Sequence, residues 1–209
     1  MSAARPLQNR VDPYGALVAT AAHGGMMGNR GGRIHRPDQT LAARRWASRQ
    51  WIVCVCEFRG RKRRVWGDSY SELFFLDEPT ALASGHRPCF ECRHAAAQAF
   101  RRAFAPKGSP KAAEMDLVLH RERLAHFAGR YDEAPLAELP DGAMVERAGR
   151  PYAVRGRQLL PWSFLGYGVP EARSTERVRV LTPPSSVAAL AAGYRPLWAD
   201  ALKDGTRPQ

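Results

Sequence analysis

The chain has 209 residues, of which 44% are hydrophobic and 25% charged, enough apolar material to bury a globular core. No apolar run is long enough for a membrane span, and the opening Met-Ser-Ala-Ala-Arg-Pro lacks a secretory apolar segment, so the four cysteines read as reduced thiols in a cytoplasm rather than a disulfide frame. Thirty-two Lys and Arg against 20 Asp and Glu give a net charge of +12, which a polyanion would relieve; nucleic acid, DNA first, is the expected partner.

Residues 1–8 read as a loose arm, and a polar turn follows at Asn9-Arg10-Val11-Asp12-Pro13-Tyr14-Gly15. Ala16 to Thr20 is apolar enough for a buried strand. It empties into a glycine-rich segment, His23 to Arg33, whose glycines allow close backbone approach and whose Arg30 and Arg33 suit a phosphate. Neither the Walker nor the dinucleotide spacing is present. Asp38 to Gln50 reads as a short basic helix leading into the strand Trp51-Ile52-Val53-Cys54-Val55-Cys56-Glu57-Phe58. The densest charge run, Arg59-Gly60-Arg61-Lys62-Arg63-Arg64, reads as a β-hairpin tip returning through Val65-Trp66, where arginines track phosphates and Trp66 stacks on a base.

Phe74 to Leu76 is a strand-like run, Asp77 caps a short helix with Pro79 in its first turn, and Gly85 stops that helix. Cys89 and Cys92 then stand at the two-residue gap that lets two thiolates meet one tetrahedral ion, with Arg87 and Arg93 placed to favour the thiolate form. Cys54 and Cys56, two apart on a strand, share a face and can complete a structural zinc site of four cysteines. His86, His94, His23 and His35 are the competing ligands. A redox role for the Cys-x-x-Cys is disfavoured because no βαβ pattern frames it.

The run Ala81-Leu82-Ala83-Ser84-Gly85-His86-Arg87-Pro88-Cys89-Phe90-Glu91-Cys92 resembles the second half of the Ada-type metal-binding domain: an Ala-rich helix, Gly, Arg-Pro-Cys and a second Cys after two intervening residues. The resemblance implies that Cys89 and Cys92 are downstream zinc ligands in a small fold found in DNA-repair and nuclease-associated proteins. Upstream the chain departs from that pattern, because one residue rather than three separates Cys54 from Cys56. The remainder resembles bacterial proteins without an assigned activity.

Beyond the knuckle, Arg93 to Phe104 and Lys111 to Phe127 have helical spacing, with a Pro106-to-Pro110 breaker between them. Met115, Leu119, Leu124 and Phe127 form the expected buried stripe of the second helix. Asp116, His120 and Arg123 line a neighbouring face, where Asp116 can orient His120 with Glu122 nearby. Strand signals around turns fill Pro135 to Val154, Gly156 to Gly168 and Val178 to Leu181. A last helix starts near Thr182-Pro183 and stops at Gly193, with a frayed tail from Leu202.

These elements predict an α+β fold: a single compact domain with a small zinc-binding cysteine cluster and a C-terminal antiparallel β-rich part. Residues 1–130 form an α+β part with the glycine-rich loop, basic hairpin and knuckle, and 131–209 a β-rich part packed on it with a C-terminal helix. The expected function is a DNA-repair or defence hydrolase, base excision ahead of nuclease chemistry, since no compact acidic cluster for Mg²⁺ is visible. Its candidate catalytic residues are Asp12 with Asn9, in a stretch that faintly resembles the water-activating loop of uracil-DNA glycosylases, and the His120/Glu122 pair. Arg30, Arg33, Arg61, Lys62, Arg63, Arg64 and Trp66 are the expected nucleic-acid contacts. The alternatives are a non-enzymatic zinc-dependent DNA- or RNA-binding module, and a zinc-thiolate methyl acceptor or sensor of Ada type.

Overall fold

The computed structural model describes residues 5–61 and 64–200. Residues 1–4 of the expected arm, Lys62 and Arg63 of the basic run, and the tail from Leu202 lie outside the described residues. The chain runs β1 (Arg10–Val11), β2 (Leu17–Val18), β3 (Met26–Arg30), β4 (Trp51–Cys54), β5 (Leu73–Phe75), α1 (Glu78–Ala83), β6 (Arg87–Pro88), α2 (His94–Phe104) and α3 (Ala112–Phe127). It continues through β7 (Glu133–Pro135), β8 (Met144–Arg147), β9 (Arg150–Arg155), β10 (Gln158–Ser163), β11 (Gly166–Tyr167), β12 (Glu171–Ala172), β13 (Arg177–Val180) and α4 (Pro184–Ala191). The fold is α+β with two mostly antiparallel sheets. The first has the order β2-β1-β5-β3-β4-β6, with β1·β5 and β4·β6 parallel; the second runs β11-β10-β9-β8-β13-β7, with β12 also paired to β10. Among the described residues no helix is long and apolar enough to cross a membrane.

Helix α1 forms for the reasons its sequence gives. Asp77 accepts the backbone N–H of Thr80 at 3.1 Å, proline sits in the first turn, and Gly85 leaves the helix at φ +82°. It is buried all round, because Ala81 packs into the core of the first sheet while Leu82 packs into that of the second. Its first two carboxylates fasten later parts of the chain. Asp77 accepts from Tyr167 Oη at 2.9 Å, and Glu78 takes Arg93 at 2.5 and 2.7 Å, Tyr194 Oη at 2.5 Å and Leu197 N at 2.7 Å.

Several expectations are corrected. The glycine-rich segment is not an open loop, since it contains β3, buried throughout and central in its sheet. Gly28 is there for room: a Cβ would sit 2.2 Å from Ile52 O and 2.8 Å from Phe75 Cε2. Residues 38–50 form no helix. Asp38 makes a local turn with Thr40, and the N–H groups of Ala47 and Ser48 both bond Arg30 O, drawing the segment along β3 instead. β4 ends at Cys54 and pairs with β3 and β6, so among the described residues it forms no hairpin returning through Val65-Trp66. In α3, Met115 and Leu119 are buried as expected, but Leu124 is 41% exposed and its place inside is taken by Asp116 and Arg123.

Candidate metal centre

The register of the first sheet builds the site. Val53 of β4 lies beside Pro88 of β6, and Cys89 N donates to Val53 O at 3.0 Å, so Cys54 and Cys89 emerge side by side. The chain then turns, with Arg93 N bonding Cys89 O at 3.1 Å, and Cys92 closes the turn just ahead of α2. The three sulfurs lie within 4.8 Å of one another, near enough for one ion to gather them. Among the described residues no fourth His, Cys, Asp or Glu joins this group.

Cys56 is the correction. The strand stops at Cys54, so the alternation that would bring Cys56 to the same face stops too, and its exposed thiol donates to Gly25 O at 3.4 Å. The histidines are also elsewhere. His86 is fully buried between Trp51 and Phe75 with Nδ1 on Ser84 Oγ, His35 bonds Ser71 and Gly67, His94 pairs with Gln98 on α2, and His23 is exposed. Nor do the flanking arginines serve the thiols: Arg87 forks onto Asp116 at 2.8 and 2.8 Å, and Arg93 onto Glu78. Within the cluster only Cys89 is pushed toward the thiolate. Donation from Cys54 and Cys92, with the Glu91 N–H at 3.4 Å, pushes the pKa of Cys89 down, while sharing with Cys89 pushes that of Cys54 up.

The cluster forms part of the wall of a cavity of about 430 Å³. Phe58, Tyr70 and Phe74 give it aromatic surface, Asn29 an amide, and Glu72 a carboxylate. Glu72 is 2% exposed; its Oε2 accepts from Trp66 N at 2.9 Å, and its Oε1 has no hydrogen-bond partner. Arg61, from the arginine-rich segment, stands at the rim in an exposed pair with Glu91 at 2.5 Å. No local pattern marks Glu72, one acidic residue directly ahead of β5, and the sequence does not single it out.

The other expected site residues are dispersed. Asp12 Oδ1 accepts from Tyr14 N at 3.0 Å and Ala16 N at 2.8 Å, holding a turn, and burial raises its pKa. Asn9 is buried with Oδ1 on Arg10, and its carbonyl accepts from Phe74 N. His120 lies edge-on to Trp46, whereas Glu122 accepts from Ser185 N at 3.1 Å at the start of α4; Asp116, held by Arg87, does not orient the histidine. Arg33 bonds the carbonyls of Asp68 and Ser69. Arg64 is exposed, and Trp66 is buried against His35 with its indole N–H on Glu72 O at 3.0 Å, so it offers no stacking face. Arg30 is buried over Trp51. Comparison of the chain with protein-family models, curated proteins and solved structures returns no match.

Proposed function

We propose that the chain is a zinc-dependent hydrolase acting on a base carried by DNA, and that it holds its metal through Cys54, Cys89 and Cys92. The observation that carries this reading is the convergence of three sulfurs within 4.8 Å of one another, a group that no fourth ligand joins among the described residues, on the wall of a cavity large enough for a base. Three protein ligands leave a tetrahedral ion one position for water, the arrangement of catalytic rather than structural zinc. A closed four-cysteine site leaves no position for water and puts the chemistry elsewhere, at Asp12 or at the His120/Glu122 pair; an open site removes that requirement. Glu72 lines the same cavity, its buried Oε1 has no hydrogen-bond partner, and it is the group to accept the proton of the attacking water and return it to the leaving group. Phe58, Tyr70 and Phe74 suit the faces of an extruded base, and Arg61 at the rim suits the backbone. The bond broken is the glycosidic bond, as in base excision, or the bond to an exocyclic amine.

The test joins elemental analysis of the purified protein to its action on labelled single-stranded and duplex DNA carrying damaged and modified bases. Strand breaks after alkali report base loss, and altered base identity reports loss of an amine. Glu72→Gln keeps an oxygen for Trp66 N, so it is expected to retain zinc and DNA binding while turnover falls by about 10²- to 10⁴-fold. Full turnover in that variant, or protein that takes up no transition metal, overturns the reading. Zinc and DNA binding without turnover of any substrate marks a binding module, and a methyl group gained by Cys89 marks an acceptor.

A further inference from the structure

The opposite face of the first sheet carries a second cavity, of about 320 Å³, between the Tyr14-to-Leu17 turn and the Leu41-to-Arg45 segment. Its charged lining residues are Arg30, Arg44 and Arg45, with no carboxylate among them. Arg30 is 1% exposed. It donates through Nη2 to Gly15 O at 2.8 Å, and its Nε, equally buried, has no partner. Its guanidinium lies 4.1 Å from the Trp51 ring, and that of Arg123 lies 4.3 Å from the same ring. Burial first, and then the charge of Arg123, pushes the pKa of Arg30 down to about 9, leaving it protonated at neutral pH. The acid that acts on it is Asp12, whose Oδ1 is already taken by two backbone N–H groups. Arg45 lies over Phe127, which forms an apolar wall of the cavity together with Leu17 and Leu41.

A buried cation with a bare donor is unfavourable unless something arrives to pair with it. Three guanidinium groups lining one cavity match a dianion with several acceptor oxygens better than a single carboxylate. We propose that this cavity is a binding site for a phosphate monoester, with the phosphoryl group on Arg30, Arg44 and Arg45 and the organic part against Phe127. The ester is a free nucleotide or the terminal phosphate of a nucleic-acid strand; both present the same group. The proposal does not depend on the metal or on the hydrolase reading, since the cavity is lined by different residues.

The experiment is a calorimetric titration near physiological ionic strength with inorganic phosphate, a nucleoside 5′-monophosphate, and one short oligonucleotide with and without its 5′-phosphate. Phosphate and the monophosphate are expected to bind. Replacing Arg44 and Arg45, both exposed, by Ala should weaken binding by about tenfold for each charge-assisted bond lost, without loss of fold. Arg30→Lys, which keeps the charge and loses the fork, should weaken it as well. An oligonucleotide that binds more tightly than the monophosphate only when phosphorylated assigns the site to strand ends; equal affinities assign it to free nucleotides. No binding of phosphate or monophosphate at about 10 mM overturns the proposal. So does binding that is unchanged in the Arg44→Ala/Arg45→Ala protein.

Discussion

On β3 and β4, successive residues lead to different surroundings. Met27, Asn29, Ile52 and Cys54 border the thiol cavity, whereas Met26 and Val53 enter the core, and Arg30 and Trp51 meet on the side of the arginine cavity. Strand alternation thus sorts neighbours in sequence into environments of opposite electrical character. On the thiol side, the cations nearest in sequence are spent on Asp116 and Glu78, and Glu72 keeps a bare oxygen. On the other side the acids are few, and Arg30 keeps a bare nitrogen. Where Arg87 meets Asp116 the fold pairs its own charges; at Arg30, beside a cavity, it leaves a buried donor without a partner.

The largest effect expected from breaking this contrast is on metal affinity. Cys89→Ser should lower it by about 100-fold or more, while Cys56→Ser leaves it unchanged, read by competition with a chromophoric chelator. Equal losses at the two positions would return Cys56 to the site and close the fourth position. On the opposite side Trp51→Ala removes a fully buried ring that carries both Arg30 and Arg123. It should cost about 3–5 kcal/mol in urea unfolding, and a cost under about 1 kcal/mol would mean that the two guanidiniums do not depend on it. The smallest effect is at Asp12. Replacing it by Ala should cost about 1 kcal/mol through the lost turn bonds and leave turnover intact, whereas abolished turnover would move the chemistry away from the thiol cavity.

What the sequence made legible was local. The Asp77 cap, the Gly85 stop, the Cys89/Cys92 turn and the bounds of α2 and α3 follow from spacings of a few residues, and the structure agrees with them. What it hid depends on partners far along the chain. Cys56 looked equivalent to Cys54 because nothing nearby says where β4 ends. Arg30 read as a surface phosphate contact because glycines read as a loop, although Gly28 serves instead to let β4 and Phe75 come close. Trp66 read as a stacking platform, and only its bonds to Glu72, six residues later, turn it inward. Asp116 and Arg123 read as neighbours of His120 on one helix face because their partners, Arg87 and the carbonyls of Gly85 and Arg49, lie 29 to 74 residues away.

The two carboxylates that begin α1 set an order of events during synthesis. Glu78 reaches Tyr194 across 116 positions, and Asp77 reaches Ala199 N across 122. The helix that delivers the chain to Cys89 is therefore underpinned by residues the ribosome has yet to make when the thiols emerge. Until those residues arrive, Glu78 has Arg93 as its side-chain partner, and the turn that carries the cysteines rests on an unfinished scaffold.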